Sequence, residues 1–171
     1  YQVITSDGRI VWVIDGYTTA SNYPYSQMSV IERNGTRERL NYIRNSVKVV
    51  VDSYNGTVDF YITDTTDPII MAYKEIYPAL FKTKEEIPQD IAEHFVYPEL
   101  LYNIQADMLE RYHNVKADVL YRSSDVWDRA THTTGQTLRT TGTPIDPYYT
   151  MVKTVDSEES QLGLVLPYTL D

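Results

Sequence analysis

Followed from its first residue, the chain changes its hydrophobic period twice. Period two comes first and is clearest in NYIRNSVKVVVDSYNGTVDFYIT, Asn41 to Thr63. There Asn55-Gly56 lies between two β-branched and aromatic runs, and Asn-Gly readily supplies the two positive φ angles of a type I′ turn. A two-residue turn pairs Val51 with Phe60 and Val49 with Ile62, gathering the apolar side chains on one face. A three-residue turn with a bulge sets Val51 against Asp59 and splits that face, so the hydrophobic pattern selects the shorter turn. This register predicts Asp52 opposite Asp59, a like-charge pair costing up to about 1 kcal/mol. Lys48, another basic group or a cation would neutralise it; two solvated carboxylates are the plainer reading.

The same period predicts a hairpin over Tyr1 to Ile14, turning at Ser6-Asp7-Gly8. Its second strand, RIVWVI (Arg9 to Ile14), is apolar on both faces, which is the mark of a central strand and places Trp12 in the core. Residues 17–39 are rich in Tyr, Ser, Thr and Asn without periodicity. They predict a long ordered loop pinned by Tyr17, Tyr23, Pro24 and Tyr25, with a turn at Asn34-Gly35.

From Asp67 the period becomes 3.6. Asp67 is the predicted N-cap of a helix opening at Pro68 and stopped by Pro78. A short helix is expected from Pro88 to Phe95, after the capping-box pattern Thr83-Lys84-Glu85-Glu86. A third runs from Pro98 to Tyr112, with Leu101, Ile104, Met108 and Tyr112 as its apolar stripe and Glu99, Asn103, Asp107 and Glu110 opposite. A fourth is expected over Ala117 to Trp127. Periodicity then fails: 131–147 is Thr- and Gly-rich and reads as a flexible loop. Two strands follow, Tyr148 to Val155 and Leu162 to Tyr168, joined by an acidic loop at 156–160. The order predicts an α+β fold, an antiparallel sheet built on β-hairpins with three to four helices packed on one face, forming a single domain over 1–171.

Composition narrows the function classes. A chain of 171 residues with 42% hydrophobic residues, 23% charged and 16 tyrosines can bury a substantial core. The net charge of -9 and the pI near 4.7 disfavour nucleic acid and anionic membrane surfaces as partners. The absence of cysteine excludes disulfide and thiol chemistry. No apolar run reaches the roughly 18 residues needed to cross a bilayer. With no initiator Met and no signal pattern, the chain reads as a piece of a longer protein.

Four blocks, DGYTTASNYPYSQ (Asp15 to Gln27), NYIRNSVKVVVDSYNGTVDFYI (Asn41 to Ile62), DPII followed by YP-LF (Asp67 to Phe81) and YPELLYNIQADMLERYH (Tyr97 to His113), resemble the soluble region of uncharacterised protein family 0182. The resemblance implies a bacterial or archaeal protein with several membrane-spanning helices and a large extracytoplasmic region, of which this chain would be part. It implies a place, the outer side of a cell membrane, and the membrane-spanning part of the same polypeptide as partner. It brings no catalytic residues.

No catalytic motif or cofactor loop is visible in the residues themselves. His94, His113 and His132 have no metal-ligand spacing and read as surface or helix-end groups. Asp64 and Asp67 with neighbouring threonines could offer oxygens to calcium but lack the glycine and bidentate glutamate of a dedicated loop. Asp15, Tyr17, Asn22, Tyr23 and Tyr25 form the best candidate recognition surface, since tyrosine suits carbohydrate or protein contacts. The plainer alternative has these rings pinning their loop. The expected function is a non-enzymatic extracytoplasmic domain serving assembly, sensing or partner binding. The alternative is an enzyme or enzyme subunit acting on cell-envelope carbohydrate or peptide, with Asp15, Asp52 or Asp59 as acid or base.

Overall fold

The computed structural model describes residues 1–33, 35–122, 124–132, 142–153 and 159–170. They form two compact units, 1–98 and 99–171, each described by itself. The fold is α+β, with antiparallel sheets and four α-helices. No helix of the described residues is long and apolar enough to cross a membrane.

The first unit is built on a five-stranded sheet in the order β1 (Gln2–Ile4), β2 (Ile10–Ala20), β5 (Tyr42–Asp52), β6 (Val58–Ile62), β7 (Phe81–Lys82). All neighbours are antiparallel except β6 and β7. The first hairpin turns at Gly8 as expected. Its second strand, however, runs on to Ala20, through the first residues of the stretch read as a loop. The rest of that stretch holds a separate hairpin, β3 (Ser29–Arg33) and β4 (Thr36–Leu40). Asn34 of the expected Asn34-Gly35 turn lies outside the described residues. The aperiodic composition concealed these strands because most of their side chains meet water; Ile31 and Leu40 are the buried exceptions.

The central hairpin has the expected faces and a different register. Val49 pairs with Phe60 and Val51 with Val58, which sets Val50, not Asp52, opposite Asp59. The loop has four residues, closed by Asp52 N–H to Thr57 O at 3.0 Å and Gly56 N–H to Asp52 O at 2.9 Å. Side chains select it. Asp52 Oδ1 accepts from the N–H groups of Tyr54 (2.8 Å) and Asn55 (3.2 Å), and Asn55 Oδ1 accepts from Thr57 N–H (3.0 Å). Only Gly56 takes a positive φ, 72°. A shift of two residues preserves the face of every side chain, so the pattern that fixed the faces could not count the turn.

The two faces of this sheet carry different clusters. Val3, Val11, Val13, Val50 and Tyr61 pack with Ile91 of α2 (Gln89–Ala92), flanked by Ile87 and Phe95. On the opposite face Val47 and Ile62 pack with Ile70 of α1 (Pro68–Ile76), joined by Val49, Phe60, Met71 and Phe81. Beyond α1 no described element of the first unit covers this second face: Ile4 is 69% exposed, Ile14 49%, Val58 46% and Trp12 44%. Trp12 therefore stands on an exposed apolar face of an interior strand, not in the core. At Gly16/Thr18 the β2–β5 register shifts by one residue in a bulge, and a Cβ on Gly16 would come within 3.2 Å of Val47 Cβ.

Helix α1 starts and stops as read, with Asp67 as its cap. The capping box at Thr83–Glu86 is present, with Glu86 Oε2 accepting from Thr83 N–H at 2.6 Å, but it closes a 3-10 turn and not the next helix.

The second unit contains α3 (Glu99–Tyr112), α4 (Ala117–Arg122), β8 (Trp127–Arg129), β9 (Tyr148–Val152), β10 (Gln161–Val165) and β11 (Tyr168–Leu170), with β9 pairing β10 and β8 pairing β11. Trp127 ends in a strand and not in the fourth helix. Helix α3 sets part of its expected polar side, Asn103 and Glu110, against β8. Arg129 of β8 donates to Asn103 Oδ1 (2.8 Å) and Asn103 O (3.0 Å) and ion-pairs with Asp107 and Glu110, while Met108 and Tyr112 are exposed. The His113 ring stacks on Trp127 at 3.9 Å. The Thr- and Gly-rich loop falls largely, at 133–141, outside the described residues, as do 154–155 of the expected strand and 156–158 of the acidic loop.

Candidate functional site

In the first unit the β1–β2 turn, the central hairpin and α2 enclose a cleft of about 410 Å³. Its floor is apolar, from Val11, Val50 and Ile91, and its walls carry Asp7, Asp52, Asp59 and Asp90 with Arg9 and hydroxyl groups. Period-two alternation builds it: Val50 and Asp52 share a face of β5, and Asp59 and Tyr61 extend that face on β6. Asp52 and Asp59 thus meet in one cleft without facing each other across the ladder.

Every aspartate of the cleft has a partner. Asp52 ion-pairs with Arg9, whose guanidinium lies 5.5 Å from the Tyr54 ring centre. Asp59 pairs with Lys82 at 2.7 Å. Ser6 donates both its N–H (2.8 Å) and its hydroxyl (2.9 Å) to Asp90, tying the first turn to α2, and Thr5 donates to Asp7. The Tyr54 and Asn55 N–H groups and Arg9 hold the Asp52 carboxyl below the usual carboxylate range. The two Ser6 donors do the same for Asp90. Burial and the Asp59 charge push the Tyr61 phenol up, and the bond to Asp59 raises the Lys82 ammonium. The arrangement holds Asp52 and Asp90 ionised beside an apolar floor, which suits binding and positioning of polar groups better than proton delivery.

A second polar cluster lies at the end of the sheet where α1 begins. Asp67 is fully buried and accepts from Thr18, Ser46, Tyr42 (2.7 Å) and the Ile69 N–H (3.0 Å). Burial pulls its carboxyl upward, and the Ser46, Thr18 and Tyr42 hydroxyls outweigh that and hold it low. Burial and the bond to Asp67 push the Tyr42 phenol up to about 12. Asp64 is held low by the Thr66 hydroxyl and N–H, then by Arg44 at 3.1 Å. The oxygens of both cation candidates are thereby engaged by protein donors. Among the described residues, no group of three or more His, Asp or Glu could hold a metal ion.

The five recognition candidates are dispersed. Asp15 and Tyr17 lie on β2, while Asn22, Tyr23 and Tyr25 lie on the following loop, and none lines the cleft. Asp15 pairs with Lys48, a 5%-exposed lysine that also donates to Val96 O (3.3 Å) and lies 5.5 Å from the Phe95 ring centre. Lys48 therefore serves Asp15, while Arg9 and Lys82 neutralise Asp52 and Asp59. Tyr23 stacks on Tyr42 at 5.2 Å. Tyr25 is fully exposed with φ 59°. The loop is pinned mainly by Asn41, which accepts from Tyr23 N–H (3.0 Å) and donates to Tyr23 O (2.7 Å) and Ser26 O (3.2 Å). The residues missed by sequence reading, Arg9, Lys82 and Asp90, are charged groups brought to the cleft by packing. Only the Asp52–Asp59 conflict pointed to Arg9 and Lys82, by requiring nearby cations, and no signal pointed to Asp90.

A family model described as "Uncharacterised protein family (UPF0182)" matches residues 1–171. A UPF0182 protein of Caldicellulosiruptor saccharolyticus is 46% identical over 99% of this chain and 17% of its own length. A second, from Cupriavidus necator, is 42% identical over 96% of the chain and 18% of its own length. A third, from Methanospirillum hungatei, is 39% identical over 98% and 18%. The chain thus spans less than a fifth of the curated relatives it matches. No solved structure matches.

Proposed function

For this chain, which belongs to the uncharacterised protein family UPF0182, we propose a non-enzymatic binding and assembly module within a multi-pass membrane protein, on the extracytoplasmic side of the cell membrane. The observation that carries the reading is the bare apolar half of the sheet, with Ile4, Trp12, Ile14 and Val58 between 44% and 69% exposed. A contiguous apolar face on an otherwise strongly acidic chain is the signature of a surface meant to be covered. The cleft supports the same reading, because its carboxylates are matched by Arg9, Lys82 and Ser6. The membrane and its outer side rest on the family resemblance.

The chain has no cysteine, so one introduced thiol reports its side of the membrane. In a cysteine-free version of the full-length protein, Tyr25→Cys should react with a membrane-impermeant maleimide in intact cells as fully as after permeabilisation. Reaction only after permeabilisation overturns the placement. Release of soluble fragments from isolated envelope polymer by the full-length protein, lost in Asp52→Asn, would replace the binding role with a hydrolytic one.

A further inference from the structure

The two ends of the bare face differ in one respect. At one end α1 lies over Val47 and Ile62, with Ile70 and Met71 packed down onto them. At the other, the same face continues as Ile4, Trp12, Ile14 and Val58 with nothing charged among them, because Trp12 pairs with Val51, Ile14 with Val49 and Val51 with Val58. An apolar sheet face is stable when a layer lies over all of it, and among the described residues of the first unit the layer stops after one helix.

We propose that the bare half receives an apolar helix contributed by the same longer polypeptide from outside residues 1–171, laid beside α1. This deepens the binding and assembly reading and rests on it. Three considerations select that occupant. The relatives are more than five times as long as the matched chain, so most of each polypeptide is available to pack on this sixth. A tethered segment acts at an effective concentration of the order of millimolar, which outcompetes a free second copy. A net charge of -9 disfavours laying this face on an anionic bilayer. A helix beside α1 would extend the existing layer at the usual interaxial spacing of roughly 8–10 Å and cover β-branched side chains with its own apolar stripe.

The test places a photo-reactive p-benzoylphenylalanine at Ile14 of the full-length protein in detergent, with the same probe at Tyr25 as the exposed control. Irradiation should join position 14 to a peptide of the same molecule outside 1–171, at about ten-fold or more the yield at position 25. A yield equal to that at Tyr25, attachment within 99–171, or a product of twice the mass each overturns the proposal. Should the bulky probe disturb the site, Ile14→Cys supplies a second measurement. Its maleimide reaction should be about ten-fold slower than that of Tyr25→Cys in the full-length protein, and equal rates overturn the proposal. The membrane placement is read separately from Tyr25→Cys in intact cells, so a failure of docking leaves that reading standing and a failure of placement leaves docking standing.

Discussion

The two faces of β2 present neighbouring residues to opposite environments. Val11 and Val13 are 5% and 1% exposed beneath α2, whereas Trp12 and Ile14, one residue away, are 44% and 49% exposed. The closed face also holds the Asp15–Lys48 pair, with Lys48 roofed by Phe95 and the Val96 carbonyl. Hydrophobicity alone cannot distinguish these faces, since both are aliphatic. What separates them is the covering element, present for one and, among the described residues of the first unit, absent for half of the other.

The largest effect should come from leaving Lys48 buried without its partner. Asp15→Ala should cost about 3 kcal/mol in urea unfolding, and Asp15→Ala with Lys48→Met should recover most of it. A loss under about 1 kcal/mol would mean that Lys48 escapes to water and the face is open. Next, Val13→Ala should cost about 2 kcal/mol through two lost methyl groups and a cavity, against less than about 1 kcal/mol for Ile14→Ala. In the full-length protein Ile14→Ala should rise toward the Val13 value if the face is covered there.

The acid limb follows from the aspartates of the Asp67 cluster and of the cleft, and the alkaline limb is led by Tyr42. Asp67, Asp64, Asp52 and Asp90 have lowered folded pKa values. Their stabilisation is present above the unfolded carboxylate value and lost as pH falls from about 4 through the folded values. Tyr42 is raised from 10.0 to about 12, so its stabilisation is complete below 10 and lost as pH rises through that interval. Melting curves across pH should bend at both limits, and Tyr42→Phe should weaken the alkaline bend, leaving the part due to Tyr61 and Lys82. Smallest of all, Asp59→Asn should change stability by less than about 1 kcal/mol, because its pair with Lys82 is solvated. A larger change would make the cleft rim as structural as the closed face.

The elements were legible where a local signal had a local cause. Asp67-Pro68 announced α1 because an N-cap and a proline at N1 act within one turn, and the alternation in β5 and β6 fixed their faces. Two of the failures share a physical reason, surroundings supplied by parts distant in sequence, whereas the hairpin register was set by Asp52 and Asn55 inside the turn. Arg129 recruited Asn103, Asp107 and Glu110, so a helix side that looks solvated is held against β8. Trp12 read as core because two apolar faces usually mean a central strand. Its strand is indeed interior, yet no described element of the first unit lies above it. Asp52 and Asp59 were singled out through a register that the chain does not use, and they meet in the cleft because alternation survives a shift of two residues.

That parity has a consequence for the folding of the hairpin. A β5–β6 pairing slipped by two residues buries the same face, so hydrophobic collapse alone cannot discriminate against it, and it would act as a kinetic competitor of the native state. In the slipped form Asp52 stands opposite Asp59 and the like charges repel. In the native form Asp52 closes its own turn and meets Arg9, while Asp59 meets Lys82. The charges of the cleft thereby act as a proofreading device for strand alignment, turning an ambiguity of packing into a choice made by electrostatics.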